Sequence, residues 1–231
     1  MSALAMVMAR GGSKRIPRKN IKEFMGRPMI SYAISAALES RIFDEVMVST
    51  EDAEIAEVAR ELGASVPFMR SEYTASDVAT TREVVLEVVE EYARRGRRFD
   101  SLACLYSCVP FLTGETLRAA YERFCADGAD LLMPVVRYSF PVQRALHVGA
   151  DGLMTYREPA EANRRTQDLE PTYHDAGMFY FTKVSAYVAG DIMRRAWFEM
   201  PALCAQDIDT PDDWKMAEIK YRMLYDVQDR A

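Results

Sequence analysis

Apolar positions along the 231-residue chain follow two alternating periods. Ala3–Met8, Glu45–Ser49, Ser65–Phe68, Ser101–Tyr106 and Leu131–Val136 are short apolar runs bounded by turn residues. They have the length and composition of strands buried on both faces. Between them, apolar residues recur three and four apart. Pro28–Glu39 sets Ile30, Ala33, Ile34, Ala37 and Leu38 on one helical face, and Pro28 suits a first helical position. Asp52–Leu62 reads as a helix with Asp52 as its cap and Gly63 just past its end. Thr80 and Glu83 have capping-box spacing ahead of Val85, Val88, Val89 and Tyr92, and Leu117, Ala120, Tyr121 and Phe124 mark a further helix. Such alternation predicts an α/β fold, a mostly parallel sheet covered on both faces.

The rhythm breaks from Tyr138 to Asp175, a stretch rich in Pro, Arg, Glu and Gln with an Asp151-Gly152 hairpin signal. A single domain over residues 1–231 with an excursion at 138–175, a β-hairpin plus a polar loop, is expected. Gly177–Thr182 returns as an aromatic core strand. An amphipathic helix from Pro211 then turns Trp214, Ala217, Tyr221 and Leu224 inward.

Composition narrows the class. Hydrophobic content of 49% supports one sizeable core, and no apolar run reaches the roughly 18 residues of a membrane helix. The short N-terminal apolar run has no basic stretch before it, so a signal peptide is not expected. Cys104, Cys108, Cys125 and Cys204 form no C-x-x-C pair, and His147 and His174 are remote from them. Free thiols in a reducing cytoplasm are expected, rather than a zinc site or a disulfide framework.

Charge points to a ligand. The net charge is -6, yet Arg10, Lys14, Arg15, Arg18, Lys19 and Lys22 fall within the first 22 positions, with no acidic residue among them. This basic run follows the first predicted strand and contains Gly11-Gly12. Glycines let backbone N–H groups approach an anion, and the cations neutralise it. Charge confined to one loop of an acidic chain fits a small, highly charged anion and argues against a nucleic-acid surface. Neither G-x-x-x-x-G-K-[ST] nor G-x-G-x-x-G occurs, which disfavours a P-loop and a nicotinamide dehydrogenase.

Four carboxylates lie between Ala205 and Trp214. Thr210 reads as a helix cap, Pro211 as the first helical residue and Asp213 as the return partner of a capping box. Asp207 and Asp209 precede the cap on extended chain, where a spacing of two sets both on one side and turns Ile208 inward. By spacing they are either solvated loop aspartates or ligands of a hard cation. Mg²⁺ takes one or two carboxylates plus substrate phosphates, and the basic loop favours that reading.

The run from Ala9 to Asn20, Ala-Arg-Gly-Gly-Ser-Lys-Arg-Ile-Pro-Arg-Lys-Asn, resembles the nucleotide loop of the acylneuraminate cytidylyltransferases. These enzymes activate nine-carbon acidic sugars as CMP derivatives. Val48-Ser49-Thr50-Glu51-Asp52 with Ile55-Ala56 resembles the family's second strand–helix junction, and Asp207-Ile208-Asp209-Thr210 its metal motif. The likeness runs over essentially the whole chain. Within the family, Phe140–Leu146, Gln167–Glu170 with Tyr173–Gly177, and Asp213–Glu218 resemble the pseudaminic acid branch.

The resemblance implies a three-layer α/β/α nucleotidyltransferase fold, Rossmann-like, and transfer of CMP from CTP to pseudaminic acid with release of pyrophosphate. Sialic or legionaminic acid is the alternative acceptor. It implies that Arg10, Ser13, Lys14 and Lys19, with Gly11, Gly12 and Asn20, hold the CTP phosphates. Arg70, Ala79 and Thr81 would border cytosine and ribose. Lys19 and Asp209 are the implied catalytic residues, and Asp207 and Asp209 the implied Mg²⁺ ligands. Gln143, Arg165, Gln167, His174 and Asp175 fall where the family binds the sugar. Arg165 competes with Arg164 for the sugar carboxylate, and His174 could equally be a satisfied polar residue; His147 reads only as a hairpin residue. The excursion is expected to pack against a second subunit, making a cytoplasmic homodimer with no nucleic-acid or membrane partner. Two departures bear on substrate choice. Met8 stands where the family usually has proline, and Tyr106-Ser107-Cys108-Val109-Pro110 replaces a usual Pro-Thr-x-Pro.

Overall fold

The computed structural model describes residues 2–225. In chain order the elements are β1 (Ala3–Met8), β2 (Glu23–Phe24), β3 (Arg27–Pro28), α1 (Ile30–Ser40), β4 (Glu45–Ser49), α2 (Ala53–Glu61), α3 (Glu72–Ala75), α4 (Thr81–Arg94) and β5 (Ser101–Tyr106). There follow α5 (Gly114–Ala126), β6 (Leu131–Arg137), β7 (Leu146–Val148), β8 (Met154–Tyr156), β9 (Tyr173–Asp175), β10 (Phe179–Lys183), α6 (Val184–Ala189), β11 (Arg195–Glu199) and α7 (Pro211–Tyr225).

The main sheet has the order β11-β6-β10-β5-β1-β4, with β9 also on β6. β1 pairs in parallel with β4 and β5, and β11 with β6, whereas β9 and β10 run antiparallel to β6. Period-2 alternation along β1 sorts its buried side chains into two cores. Ala5 and Val7 join Ile30, Ile34, Ile55, Leu117 and Phe124 from α1, α2 and α5. Leu4 and Met6 join Val84, Val85, Val88 and Tyr92 from α4 on the opposite face. This is the three-layer α/β/α arrangement.

A third cluster determines where the two ends of the chain meet. Ile16 from the basic loop, Phe24 from β2, Tyr32 from α1 and Ile208, Trp214 and Ala217 around the start of α7 are all buried together. Phe24 meets Tyr32, Trp214 and Tyr221 edge-on, at ring-centroid distances of 5.7, 5.4 and 5.7 Å. Burial of Ile16 and Ile208 in one core brings the segments carrying the cations and the aspartates side by side.

Several boundaries differ from the sequence expectation. Pro28 does not open α1; it pairs with Glu23 across the β2–β3 hairpin, and the helix starts at Ile30. Met25 and Gly26, at φ 48° and 87°, form the turn, and a hairpin turn with both central residues at positive φ matches strand twist. Ser65 makes only an isolated bridge to Met47, so Ser65–Phe68 is not a strand. The aromatic strand starts at Phe179 rather than Gly177. Val135 lies opposite Asp175 but Leu132 opposite Phe181, so Ala176–Met178 bulges between β9 and β10, with Gly177 at φ 63°. The expected caps are present: Asp52 accepts the N–H groups of Glu54 and Ile55, and Thr80 and Glu83 complete their box. The excursion contains the β7–β8 hairpin around Gly152. Among the described residues no helix is long and apolar enough to cross a membrane.

Candidate active site

A cleft of about 650 Å³ opens at the carboxyl ends of β1 and β5, next to Met8 and Tyr106. Parallel α/β sheets expose the ends of their strands and following loops at this edge, where ligands characteristically bind. The basic loop forms one wall, with Arg10, Gly12, Ser13, Lys14, Arg15, Lys19 and Asn20. Arg70, Ala79 and Thr81 form a second, and Asp207 and Asp209 a third. The nucleotide and metal candidates drawn from sequence thus share one space.

Gly11 is the exception: it does not line the cleft. Its N–H donates to Glu51 Oε1 at 2.7 Å, away from any anion in front of the loop. A Cβ at this position would overlap Asp52 Oδ2 and lie 3.1 Å from Asp52 Cγ. Glycine is needed here for close approach to the start of α2. Arg18, at φ 54°, ties the same loop to Asp52 and Glu54.

The cations are already paired. Arg10 Nη1 and Lys14 Nζ each donate to one oxygen of Asp77, both at 2.6 Å. Arg15 Nη2 donates to Asp209 Oδ2 at 2.7 Å, and Lys19 Nζ donates to the Ile208 carbonyl at 2.6 Å. Asn20 is buried and joins two loops. Its Nδ2 donates to the Arg10 carbonyl at 2.8 Å, while its Oδ1 accepts from Ser107 Oγ at 2.7 Å. Arg70 donates through Nη2 to the Ser49 carbonyl at 2.7 Å and through Nε to Ser49 Oγ at 3.1 Å, which fixes it at the end of β4. Burial pushes the Cys108 thiol up to about 11, so it stands in the cleft as a neutral group at ordinary pH.

Partial burial raises the Asp207 carboxyl above its ordinary value, and the charge of Asp209 raises it further. A cation between the two would relieve both effects. Among the described residues no group of three or more His, Cys, Asp or Glu side chains forms a metal cage. Two carboxylate donors beside a phosphate-sized space suit Mg²⁺, which completes its shell with water and phosphate oxygens.

The five sugar candidates do not line this cleft. Gln143 Nε2 donates to the Glu170 carbonyl at 2.8 Å, and Arg165 and Gln167 are exposed around a 3-10 turn at Thr166–Asp168. The His174 ring lies 4.9 Å from that of Tyr138, with Nδ1 2.9 Å from the Asp175 carbonyl. Asp175 accepts from Tyr180 Oη and the Gly177 N–H, both at 2.8 Å. Gly177 lines the cleft, so Asp175 stands just behind its edge. Tyr106, Ser107 and Cys108, from the loop whose departure was expected to bear on substrate choice, line the cleft, whereas Arg15, Asp77, Thr74 and Gly177 were not anticipated as wall residues. Arg15 carried a signal, its place in the basic run; Asp77 lies in a polar stretch without periodicity and carried none.

Comparison with known proteins shows the family to which the chain is similar. The family model described as cytidylyltransferase matches residues 4–185. A pseudaminic acid cytidylyltransferase of Campylobacter jejuni subsp. jejuni is 38% identical over 229 residues, covering 98% of this chain and 99% of that one. A CMP-N,N'-diacetyllegionaminic acid synthase of Legionella pneumophila is 32% identical, over 94% of this chain and 95% of that one. Among solved structures, a CMP:2-keto-3-deoxy-manno-octonic acid synthetase complexed with CTP superposes with a TM-score of 0.69. It covers 98% of this chain and 100% of that one, and at 17% identity the likeness is one of fold.

Proposed function

The chain belongs to the cytidylyltransferase family, and from that premise we propose that it joins CTP to pseudaminic acid, giving the CMP-sugar and pyrophosphate. The observation that carries the reading is the meeting of the N-terminal cations with the Asp207–Asp209 pair in one cleft. The full-length likeness to a pseudaminic acid enzyme, at 38% against 32% for the legionaminic acid synthase, supports the choice of sugar.

In the proposed reaction the anomeric hydroxyl of the sugar attacks the α-phosphorus of CTP. A new O–P bond forms, the bond to the β-phosphate oxygen breaks, and the hydroxyl proton is lost. Transfers of this kind depend mainly on positioning and charge stabilisation. Arg10, Ser13 and Lys14 would hold the outer phosphates, and Lys19, which lines the same cleft, pairs with Asp209 at 3.3 Å. Arg70, Ala79 and Thr81 border the base and ribose. Asp207 and Asp209 are the proposed Mg²⁺ ligands, and the bound ion would supply Lewis-acid polarisation of the phosphoryl oxygens.

The sugar candidates sit on the excursion, outside the cleft of a single chain. The same excursion exposes Leu146, Val148, Leu153 and Met154, and leaves Phe140 83% exposed. Leu146 and Val148 pair with Tyr156 and Met154 across the hairpin, and an exposed apolar patch of this kind supports an association site. A homodimer through the hairpin would cover it and bring a partner's excursion towards the cleft. Free thiols at all four cysteines support action in the cytoplasm.

The test is pyrophosphate release from CTP and Mg²⁺ with a panel of nonulosonic acids. Release with pseudaminic acid well above that with sialic or legionaminic acid is expected. Preference for either of the other sugars would replace the proposed acceptor, and no release with any of them would reject the reaction.

A further inference from the structure

Asp77 occupies the cations that the cleft offers to a phosphate. We propose that it is the site's own counter-ion, one that the outer phosphates of a nucleotide must displace. The inference rests on the cytidylyltransferase reading and assigns a role to a residue outside the expected set.

The geometry is that of a substitute anion. One carboxylate oxygen takes Arg10 Nη1 and the other takes Lys14 Nζ, both at 2.6 Å, so a single group bridges the two cations. The Asp77 side chain is 54% exposed and those of Arg10 and Lys14 are 45% and 81% exposed. Solvated pairs of this kind are weak and exchange readily. Lys14 and Arg10 hold the Asp77 carboxyl below its ordinary range, so it stays ionised under the conditions of turnover.

The chain around Asp77 allows it to leave. It lies between α3 and α4, each secured independently: Ser71 caps α3, and the Thr80–Glu83 box caps α4. Val78, next to it, is 79% exposed and anchors nothing. Ala79 lies two positions on and lines the cleft, so moving Asp77 also moves the wall assigned to the nucleoside.

Displacement follows from charge. One carboxylate offsets half the charge of the two cations it bridges. A pyrophosphate or triphosphate can contact both at once with a surplus of negative charge, whereas a nucleoside monophosphate has no outer phosphates to bring to Arg10 and Lys14. After transfer, return of Asp77 to Arg10 and Lys14 would assist departure of pyrophosphate. If the internal pair holds most of the ligand-free molecules, apparent affinity falls by the fraction left competent.

The experiment is calorimetric titration of wild type, Asp77→Asn and Asp77→Ala with CTP, inorganic pyrophosphate and CMP, each with Mg²⁺. Both variants are expected to bind CTP and pyrophosphate about three- to tenfold more tightly than wild type, with little change for CMP. Pyrophosphate should become a correspondingly stronger product inhibitor. Unchanged or weaker binding of CTP and pyrophosphate in both variants overturns the inference, as does equal tightening of CMP. Wild type that binds none of the three overturns the cytidylyltransferase reading as well. Binding by wild type without tightening in the variants overturns only the role of Asp77.

Discussion

Lys19 and Asp209 are in contact in the wall of the cleft: Lys19 Nζ lies 3.3 Å from Asp209 Oδ1 and 2.6 Å from the carbonyl oxygen of Ile208. The Lys19 side chain is 20% exposed against 65% for Arg15, the other cation on Asp209. The Lys19 pair is therefore the less screened of the two. It joins the first loop to the chain before the last helix, and the cleft has its shape because both segments share the core of Ile16, Phe24 and Trp214.

Asp209→Asn keeps the shape of that side chain and removes its charge. Turnover is expected to fall by roughly two orders of magnitude or more, since an electrostatic group acting on developing charge is commonly worth that much. CTP should still bind, weakly, through Arg10, Lys14 and Arg70. Pyrophosphate release measured beside a CTP titration separates the two effects. Turnover close to wild type would remove Asp209 from the chemistry.

The two adjacent glycines predict opposite sensitivities. A methyl group at Gly11 meets Asp52 inside van der Waals contact, and Asp52 both caps α2 and holds Arg18. Gly11→Ala is expected to destabilise the fold by about 1–3 kcal/mol, the usual cost of overpacking, and to raise KM for CTP. A Cβ at Gly12 has no protein atom within 4 Å. Gly12→Ala should melt as wild type does and show any effect only in nucleotide binding. Thermal melts of both variants decide the matter; equal losses would refute the packing argument.

Much of this site was legible in the sequence, for local reasons. The alternation along Ala3–Met8, the Asp52 and Thr80 caps and the Thr210–Asp213 box follow from side chains acting within a few positions of themselves, and all are present. What escaped depends on distant contacts or unusual backbone. Pro28 ahead of an apolar face reads as a helix start, but the turn at Met25-Gly26 holds it in a hairpin, and methionine gives no sign of a positive φ. The edge strand β11 alternates buried Ala196 with exposed Trp197, a pattern too short and too charged to stand out. Asp77 acquires its partners only when the 76–80 link folds over the basic loop. The sugar candidates lie on an excursion whose hairpin leaves Leu146, Val148, Leu153 and Met154 uncovered within one chain.

The pair between Arg18 and Asp52 predicts a dependence of stability on pH. The Arg18 guanidinium, aided by the backbone N–H groups of Ile55 and Glu54, holds the Asp52 carboxyl below its ordinary value. In the unfolded chain the same carboxyl titrates near about 3.9. A lowered folded-state value means that the ionised form stabilises the fold. That contribution is complete above the unfolded value and is lost as pH falls through the folded one. Asp52→Asn retains a cap for α2 but no charge, so its difference from wild type isolates the ion pair. A loss on the order of 1 kcal/mol at neutral pH, closing as the solution is made more acidic than the ordinary aspartate range, is expected from urea denaturation. A difference that does not change with pH would show that the pair contributes nothing through charge.

The exposed hairpin makes the final prediction. Leu146 and Met154 on β7 and β8 are 51% and 68% exposed, beside Val148 and Leu153, and none of them contributes to the buried clusters. Fully burying each such side chain is worth about 1.5–3 kcal/mol, so a dimer seated here would gain substantially from a few residues. Leu146→Glu with Met154→Glu introduces charges that cannot be buried unpaired at low cost. The double variant is expected to sediment as a monomer where wild type sediments as a dimer, and to melt at a similar temperature because these side chains lie outside the core. CTP binding should persist, since the proposed nucleotide wall lies within one chain, while turnover of the sugar should fall steeply because the excursion carries the residues assigned to it. A monomeric wild type with full activity would separate the excursion from both assembly and catalysis. A dimeric variant would move the interface to another face of the molecule.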